Sequence, residues 1–576
     1  MLAPWLAPAP DAQVLYGSIV GNVKDASGGV LPGATVVITH EETKAKRETT
    51  TDAAGAYRFS TVQTGTYTVV ATMTGFQTFT RSGVEVTLNT VARVDVALPV
   101  GQLQESVTVA AETPLLQTDR AEVRQELRAR ELQDLPVPIG RNYQELFVTL
   151  PGFTPPADAH SIPSNPSRAL TFNVNGASNQ GNTTRIDGVS STNVWLPHVV
   201  AYVPALESIE TVNVVTNNFD AEQGLAGGAA ISVQIKSGTN QVRGSAFEYH
   251  FNEKMRAKNY FTPPGTNEGK WQENQFGGTL GGPIKRNKLF YFVSYEGTRQ
   301  DREVPRTLSV PTAAIRSGDF RDTGTIIYDP FTGNPDGTGR TPFAGNVIPP
   351  ERFSPVATKL LAYLPLPNLP GEFNNYFTQP RFTFNRWTID SKVNWNASDR
   401  LQIFGRYSQL DFSQNSETVF GDQLQGDDAT GGGNPGIGWG DTFNFSGGVT
   451  YTMGNNVVFD ANMGWVRMTS NVEMTDVREN KGLDWLGIPG TNGPDLVDGG
   501  TPWFDLDGYT DLGTIEDFMP YYRDDDQYQI VANVSWLKGR HNVRFGSDVY
   551  RTAMNHIQPE ILDDSFGSRG GFAFDD

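Results

Sequence analysis

The sequence contains no cysteine. That excludes a disulfide framework, thiol catalysis and cysteine-based zinc sites, and it leaves the compartment open. It also lacks any apolar run of about 18 residues, so no helix in it can span a bilayer. The same absence says nothing against a barrel, whose alternating strands hide their hydrophobicity from a window average. A basic face is missing too. The formal charge is -19, with acidic residues scattered along the chain, which argues against a nucleic-acid partner. Six histidines are spread without an HExxH pair, and no GxSxG elbow occurs. No residue set therefore takes a catalytic role, and no cofactor or resident metal is implied.

What is present is turn-forming and aromatic. With 60 Gly, 36 Pro and 11% aromatics in 576 residues, the chain reads as several domains built from short strands. Residues 1–12, within MLAPWLAPAPDAQ, have the small residues of a signal-peptide remnant cut after Ala12; a disordered leader is the alternative. From 13 to 99, short alternating runs (18–23, 34–39, 56–60, 66–72, 91–98) are separated by turns at Ser27-Gly28-Gly29, Pro32-Gly33 and Asp52–Gly55. Strands at this spacing make a small antiparallel sandwich, with Tyr57, Phe59, Tyr67 and Val69 facing its core. The stretches GSIVGNVKDASGGVLPGATVVI and TTDAAGAYRFSTVQTGTYTVVATMTGF resemble the carboxypeptidase regulatory-like domain, an accessory module without catalytic residues. His40, beside Glu41 and Glu42, reads as a solvated strand end.

Beyond Pro99 lies GQLQESVTVAAETP. Glu105, Ser106, Val107, Thr108, Val109, Ala110 and Ala111 form a short β-prone run between Gly101 and Pro114. Such a strand, with free backbone groups, can add to another protein's sheet edge. It can equally serve as the last strand of the sandwich. DRAEVRQELRARELQ at 119–133 is helix-prone, closed by Leu135-Pro136. Then follow VNGASNQGNTTRIDGV and PALESIETVNVVTNNFDAEQGLAGGAAISVQIKSGTN. These blocks resemble the plug of TonB-dependent outer-membrane receptors, with Arg185, Ile186, Asp187, Gly188 and Val189 as its hairpin signature. Where many members have a basic-glycine-proline turn, this chain has Val214-Val215-Thr216-Asn217-Asn218-Phe219, similar to the Oar-like branch. The resemblance implies that 105–111 is a Ton box, offered to the periplasmic protein TonB and its inner-membrane energising complex.

The C-terminal region, 241–576, alternates with a period of two. In RWTIDSKVNW, Trp387, Ile389, Val393 and Trp395 share one face, and Thr388, Asp390, Lys392 and Asn394 the other. Nine such strands are read at 243–251, 271–281, 288–298, 386–395, 400–408, 442–451, 457–467, 527–536 and 541–550. Short turns alternate with long connections, as in outer-membrane barrels, and the short turns mark the periplasmic side. Trp387, Trp395, Tyr407, Tyr451, Trp465 and Trp536 are placed as interface girdles against outer-membrane lipid. Nine strands cannot enclose a plug, and the family closes about 22, so a truncation within the barrel is expected. The acidic clusters Asp505/Asp507/Asp511, Asp427-Asp428 and Asp524–Asp526 read as solvated loops.

The expected fold is mainly β: a sandwich at 13–99, a linker at 100–118, an α+β plug at 119–240, and the opening strands of a transmembrane barrel at 241–576. The implied function is uptake of a large or scarce solute, whether oligosaccharide, peptide or siderophore-like, driven by the inner-membrane proton-motive force. An unidentified extracellular ligand would bind above the plug, and the sandwich would lie in the periplasm of a Gram-negative-type bacterium. The alternative is an adhesion or surface-organising protein on the same scaffold.

Overall fold

Alternating strands fold by burying one face, and this chain does so with opposite polarity in its different parts. The computed structural model describes residues 16–574 apart from 89, 102–105, 111–121, 139, 159, 220–225, 259, 261, 263–266, 431–433, 455, 515–517, 539–540 and 560–568. The expected signal-peptide remnant lies outside the described residues, as do Glu105 and Ala111.

The sandwich contains β1 (Gly17–Asp25), β2 (Thr35–His40), β3 (Lys46–Thr50), β4 (Ala56–Val62), β5 (Gly65–Thr72), β6 (Thr78–Val86), β7 (Val91–Arg93) and β8 (Val96–Leu98). One sheet runs β4-β1-β7, with β8 also on β1. The second runs β3-β2-β5-β6 and ends in β9 (Ser106–Ala110). Ile19, Val36, Ile38, Tyr57, Phe59, Val69 and Val84 fill the space between them.

His40 corrects the sequence reading: it is buried, not solvated. Its Nδ1 accepts from the backbone N–H groups of Glu42 and Thr43 at 3.2 Å, and its Nε2 lies 3.4 Å from the Thr64 carbonyl. Burial holds its pKa below the ordinary value, because a charged ring would lose water and both Nδ1 bonds. The fold therefore binds fewer protons than the unfolded chain once the pH drops below about 6.5. Residues 13–99 expressed alone should fold cooperatively and lose thermal stability from pH 7 to 5. His40→Gln should flatten the profile over that window. An equally steep decline in the variant would contradict this account of the residue.

The plug sheet has the order β10-β13-β14-β11-β12, with β10 (Val123–Arg128), β11 (Thr183–Ile186), β12 (Val189–Ser190), β13 (Ile209–Asn217) and β14 (Ala230–Ile235). Here the helix expected across 119–133 is overturned. Val123–Arg128 is a strand paired antiparallel to β13, and only α1 (Ala129–Asp134) is helical. Six residues of helix propensity gain less than a ladder to an already buried strand, so tertiary pairing wins.

The barrel sheet comprises β15 (Arg243–Asn252), β16 (Trp271–Lys285), β17 (Leu289–Glu303), β20 (Arg381–Ser398), β21 (Leu401–Ser416), β22 (Gly436–Thr452), β23 (Val457–Glu473), β25 (Tyr521–Lys538) and β26 (His541–Ile557), paired in that sequence. All nine expected strands are present. After the first they run 15 to 18 residues, longer than read, because they continue past the outward apolar band: β17 ends in polar RQDRE, whereas β20 and β21 extend with Phe382, Phe384, Leu410 and Phe412 packed inward on the plug core. The long connections carry the small pairs β18 (Arg306–Leu308) with β19 (Tyr376–Thr378) and β24 (Trp503–Leu506) with β27 (Gly571–Phe574). They share a core of Val310, Leu360, Leu364, Leu424, Leu486, Phe504 and Leu512.

Two acidic clusters differ from the reading as solvated loops. Asp428 is buried and accepts from the Ser416 and Thr430 hydroxyls, while Asp427 pairs with Arg306. Asp524–Asp526 lie within β25, where Asp525 accepts from His556.

Polarity is inverted across the nine-stranded sheet. Ile530 and Val549 on one face are 63% and 60% exposed, whereas Asp390 and Asn444 on the other are fully buried. The plug is what buries them.

Candidate functional site

The plug meets the barrel sheet through the hairpin of β11 and β12. Arg185 pairs with Ser190 and Ile186 with Val189, leaving Asp187-Gly188 as a two-residue turn. Both turn residues have positive φ, 45° and 82°, as a type I′ turn requires, and Gly supplies the second at no steric cost. Close approach is helped from the other side. A Cβ on Gly464 of β23 would sit 2.0 Å from Val189 Cγ1, so only glycine lets the hairpin seat.

The turn carries a buried charge to a place that needs one. Lys392 and Arg406 stand directly opposite each other on β20 and β21. Like charges in that register repel unless an anion lies between them. Asp187 fills that role: Lys392 Nζ donates to Oδ1 at 2.8 Å, and Arg406 Nε lies 3.2 Å from Oδ2. Arg406 is further held by Ser446, Ser408 and Asn444, and Lys392 donates to the Ile235 carbonyl. Beside it, Arg185 Nη2 donates to Asp548 at 2.8 Å and to the Tyr550 hydroxyl at 2.9 Å. The Ser190 N–H donates to Gln529, and the Tyr202 hydroxyl donates to Asp390. The hairpin contact is thus ionic and hydrogen-bonded, beside an apolar contact in which Phe292, Phe382, Phe384, Leu410 and Phe412 of the sheet join the plug core.

At the long-loop end of the lumen, two plug loops meet β25 and β26. His160 and His198 approach to 2.7 Å between their Nε2 atoms, a bond in which one ring donates. Burial lowers both pKa values, and for His160 the neighbouring ring adds to it. Arg523 lies over the rings of Trp195 and Tyr521, and Trp195 contacts His556 edge-on. No sequence spacing signals this group, since its members come from two loops and two distant strands. Among the described residues no group of three or more His, Asp or Glu side chains is arranged to hold a metal ion.

The sandwich lies at the other end, beneath the short turns. Glu42 pairs with Arg243 at the start of β15, and Asn240 Nδ2 donates to the Glu42 carbonyl. Thr64 bonds to Gln234, Glu85 pairs with Arg128, and the Leu88 carbonyl accepts from both Arg124 and Asn213. The Tyr16 hydroxyl bonds to Thr450, and its ring packs on Phe404. Of the candidate Ton box, Ser106–Ala110 form β9, paired parallel to β6 from Thr78↔Ser106 to Ser82↔Ala110. The six candidate girdle aromatics, Trp387, Trp395, Tyr407, Tyr451, Trp465 and Trp536, are all on the outward face. Trp395, Tyr451 and Trp536 sit near the short turns, and Trp387 and Trp465 lie farther up the strands.

A nine-stranded sheet with an apolar outer face, its inner face packed on a folded plug, defines an outer-membrane barrel protein. The chain belongs to the outer membrane beta barrel domain family, whose model matches residues 234–576, and the carboxypeptidase regulatory-like domain model matches residues 18–99. The first assignment places it in the outer membrane. It is similar to the TonB-dependent transporter Oar of Myxococcus xanthus, 29% identical over 352 residues, covering 55% of this chain and 30% of that protein. Among solved structures it resembles the outer membrane transporter YddB of Escherichia coli (TM-score 0.43, 12% identity, 76% of this chain, 54% of that one). The ferric enterobactin receptor of Pseudomonas aeruginosa follows at TM-score 0.40 and 12% identity, with 76% and 50% covered. The chain thus spans less than a third of its curated relative and about half of these structures.

Proposed function

We propose that the protein is a TonB-dependent outer-membrane importer in which the β11–β12 hairpin is the movable seal. The observation that carries this is the buried ion contact of Asp187 with Lys392 and Arg406, a polar seat inside a sheet whose outside is apolar. Solute binds at the plug apex and the long-loop cap, where the half-buried rings of Trp195, His160 and His198 reach the surface above the buried Tyr521 and Arg523. An oligosaccharide, a peptide or a siderophore-like chelate each suits such a surface. TonB, energised from the inner membrane, engages 105–111 on the short-turn side, and the pull loosens the hairpin. The six girdle aromatics lie at the lipid interfaces. No catalytic step is needed.

The adhesion reading requires no coupling protein, and this separates the two. Purified TonB periplasmic domain, flowed over the immobilised, detergent-solubilised receptor, should bind saturably with a micromolar or tighter constant, about -8 kcal/mol. Absence of saturable binding would leave the adhesion reading in front.

A further inference from the structure

The sheet that ends in β9 has two edges of opposite character. At one end, β3 reads KRETT, with Lys46, Arg47 and Glu48. Charged residues are the usual protection of an edge strand against pairing with another chain. At the other end, β9 reads SVTVA and carries neither charge nor proline. Its inner side is occupied by five registered pairs with β6. Among the described residues no strand pairs with its outer side. In a strand bound on one side, alternate residues turn their N–H and C=O groups outward, so the outer edge is a ready template.

We propose that the coupling protein docks on this outer edge while β9 stays in the sandwich, so that its extended segment becomes the sixth strand of that sheet. This rests on the reading of 105–111 as the coupling strand and goes beyond it by making the whole sandwich the object that is pulled. Two considerations favour it over a mechanism in which β9 is first peeled away. Addition at the outer edge gains a ladder without losing one, whereas displacement exchanges one ladder for another. The sandwich also grips the plug sheet at the places a pull must reach. Thr64 holds Gln234 of β14, Glu85 holds Arg128 of β10, and the Leu88 carbonyl holds Arg124 of β10 and Asn213 of β13. Force on the sandwich therefore arrives on three plug strands as well as through the connection after Ala110.

The absence of cysteine permits a clean test. Thr80 and Thr108 are partners in the β6–β9 register, so Thr80→Cys/Thr108→Cys ties the strand to the sandwich by a disulfide. If that bond does not form, Phe79→Cys/Val107→Cys replaces it. Binding of the purified TonB periplasmic domain to the receptor is then measured oxidised and reduced, beside the double variant Val107→Pro/Thr108→Pro. The proposal expects oxidised and reduced affinities within about twofold, and at least a tenfold loss in the proline variant, which removes one donor from each side of β9. An oxidised form at least tenfold weaker, restored by reduction, would overturn it while leaving the coupling strand in place. A proline variant that binds like the parent would overturn the coupling reading itself, whatever the disulfide does.

Discussion

Replacing Asp187 by alanine is expected to unseat the plug hairpin, at a cost of about 3–5 kcal/mol. The magnitude follows from what stays behind. Lys392 and Arg406 are paired in register and both buried, so the variant leaves two cations facing each other without an anion. Neither can turn to water, because the plug covers the sheet there. The cost should appear in a urea titration of the solubilised receptor, read by hydrogen-exchange protection of β11 to β14. Asp187→Ala combined with Lys392→Met removes one uncompensated charge and should recover much of the loss. If the single variant stays within about 0.5 kcal/mol of the parent, as a neutral surface change would, the turn is not the anchor described here.

The second large effect is on the opposite face. Met463 and Val393 point outward in one register row between the aromatic belts, Val393 one outward position from Trp395 and Met463 one from Trp465. In water, an arginine at so exposed a position would change stability by about 0.5 kcal/mol or less. Facing lipid between the two belts, it should cost more than that, up to about 2–4 kcal/mol at the depth of the bilayer midplane. Met463→Arg and Val393→Arg should each therefore lower the folded receptor recovered from outer membranes. Inward changes such as Thr388→Ser should leave it unaltered. Parental yields of both arginine variants would mean that this face does not meet lipid.

These two faces were legible in the sequence because each strand states its environment twice, once in its apolar side chains and once in its polar ones. Trp387-Thr388-Ile389-Asp390 needs no partner to be read as a two-sided strand. The strand extensions beyond the apolar band were not legible, since stretches such as Arg299–Glu303 have no apolar face to betray a period. Val123–Arg128 is helix-prone in sequence yet a strand in the fold, because its residues suit either state and β13 decides between them. Ser106–Ala110 was read both as a docking segment and as a last sandwich strand, and its pairing with β6 shows that it is a strand of the sandwich sheet. The hairpin was found by resemblance, yet its anion role was invisible. Lys392 and Arg406 become neighbours only when two strands pair, and Asp187 reaches them only when the plug is seated.

The measurement closest to the central claim, that energy delivered at the coupling strand moves this hairpin, is a labelling rate. Val189 is buried against Gly464, and residues 1–576 have no thiol to compete. A Val189→Cys receptor in living cells, in their own growth medium, is exposed to a small maleimide that crosses the outer membrane but not the inner one. The account predicts labelling at least tenfold faster in energised cells than in cells treated with a protonophore. It predicts the slow rate, energised or not, when Val107→Pro/Thr108→Pro is added. Equal rates in energised and uncoupled cells, or fast labelling despite the prolines, would contradict it.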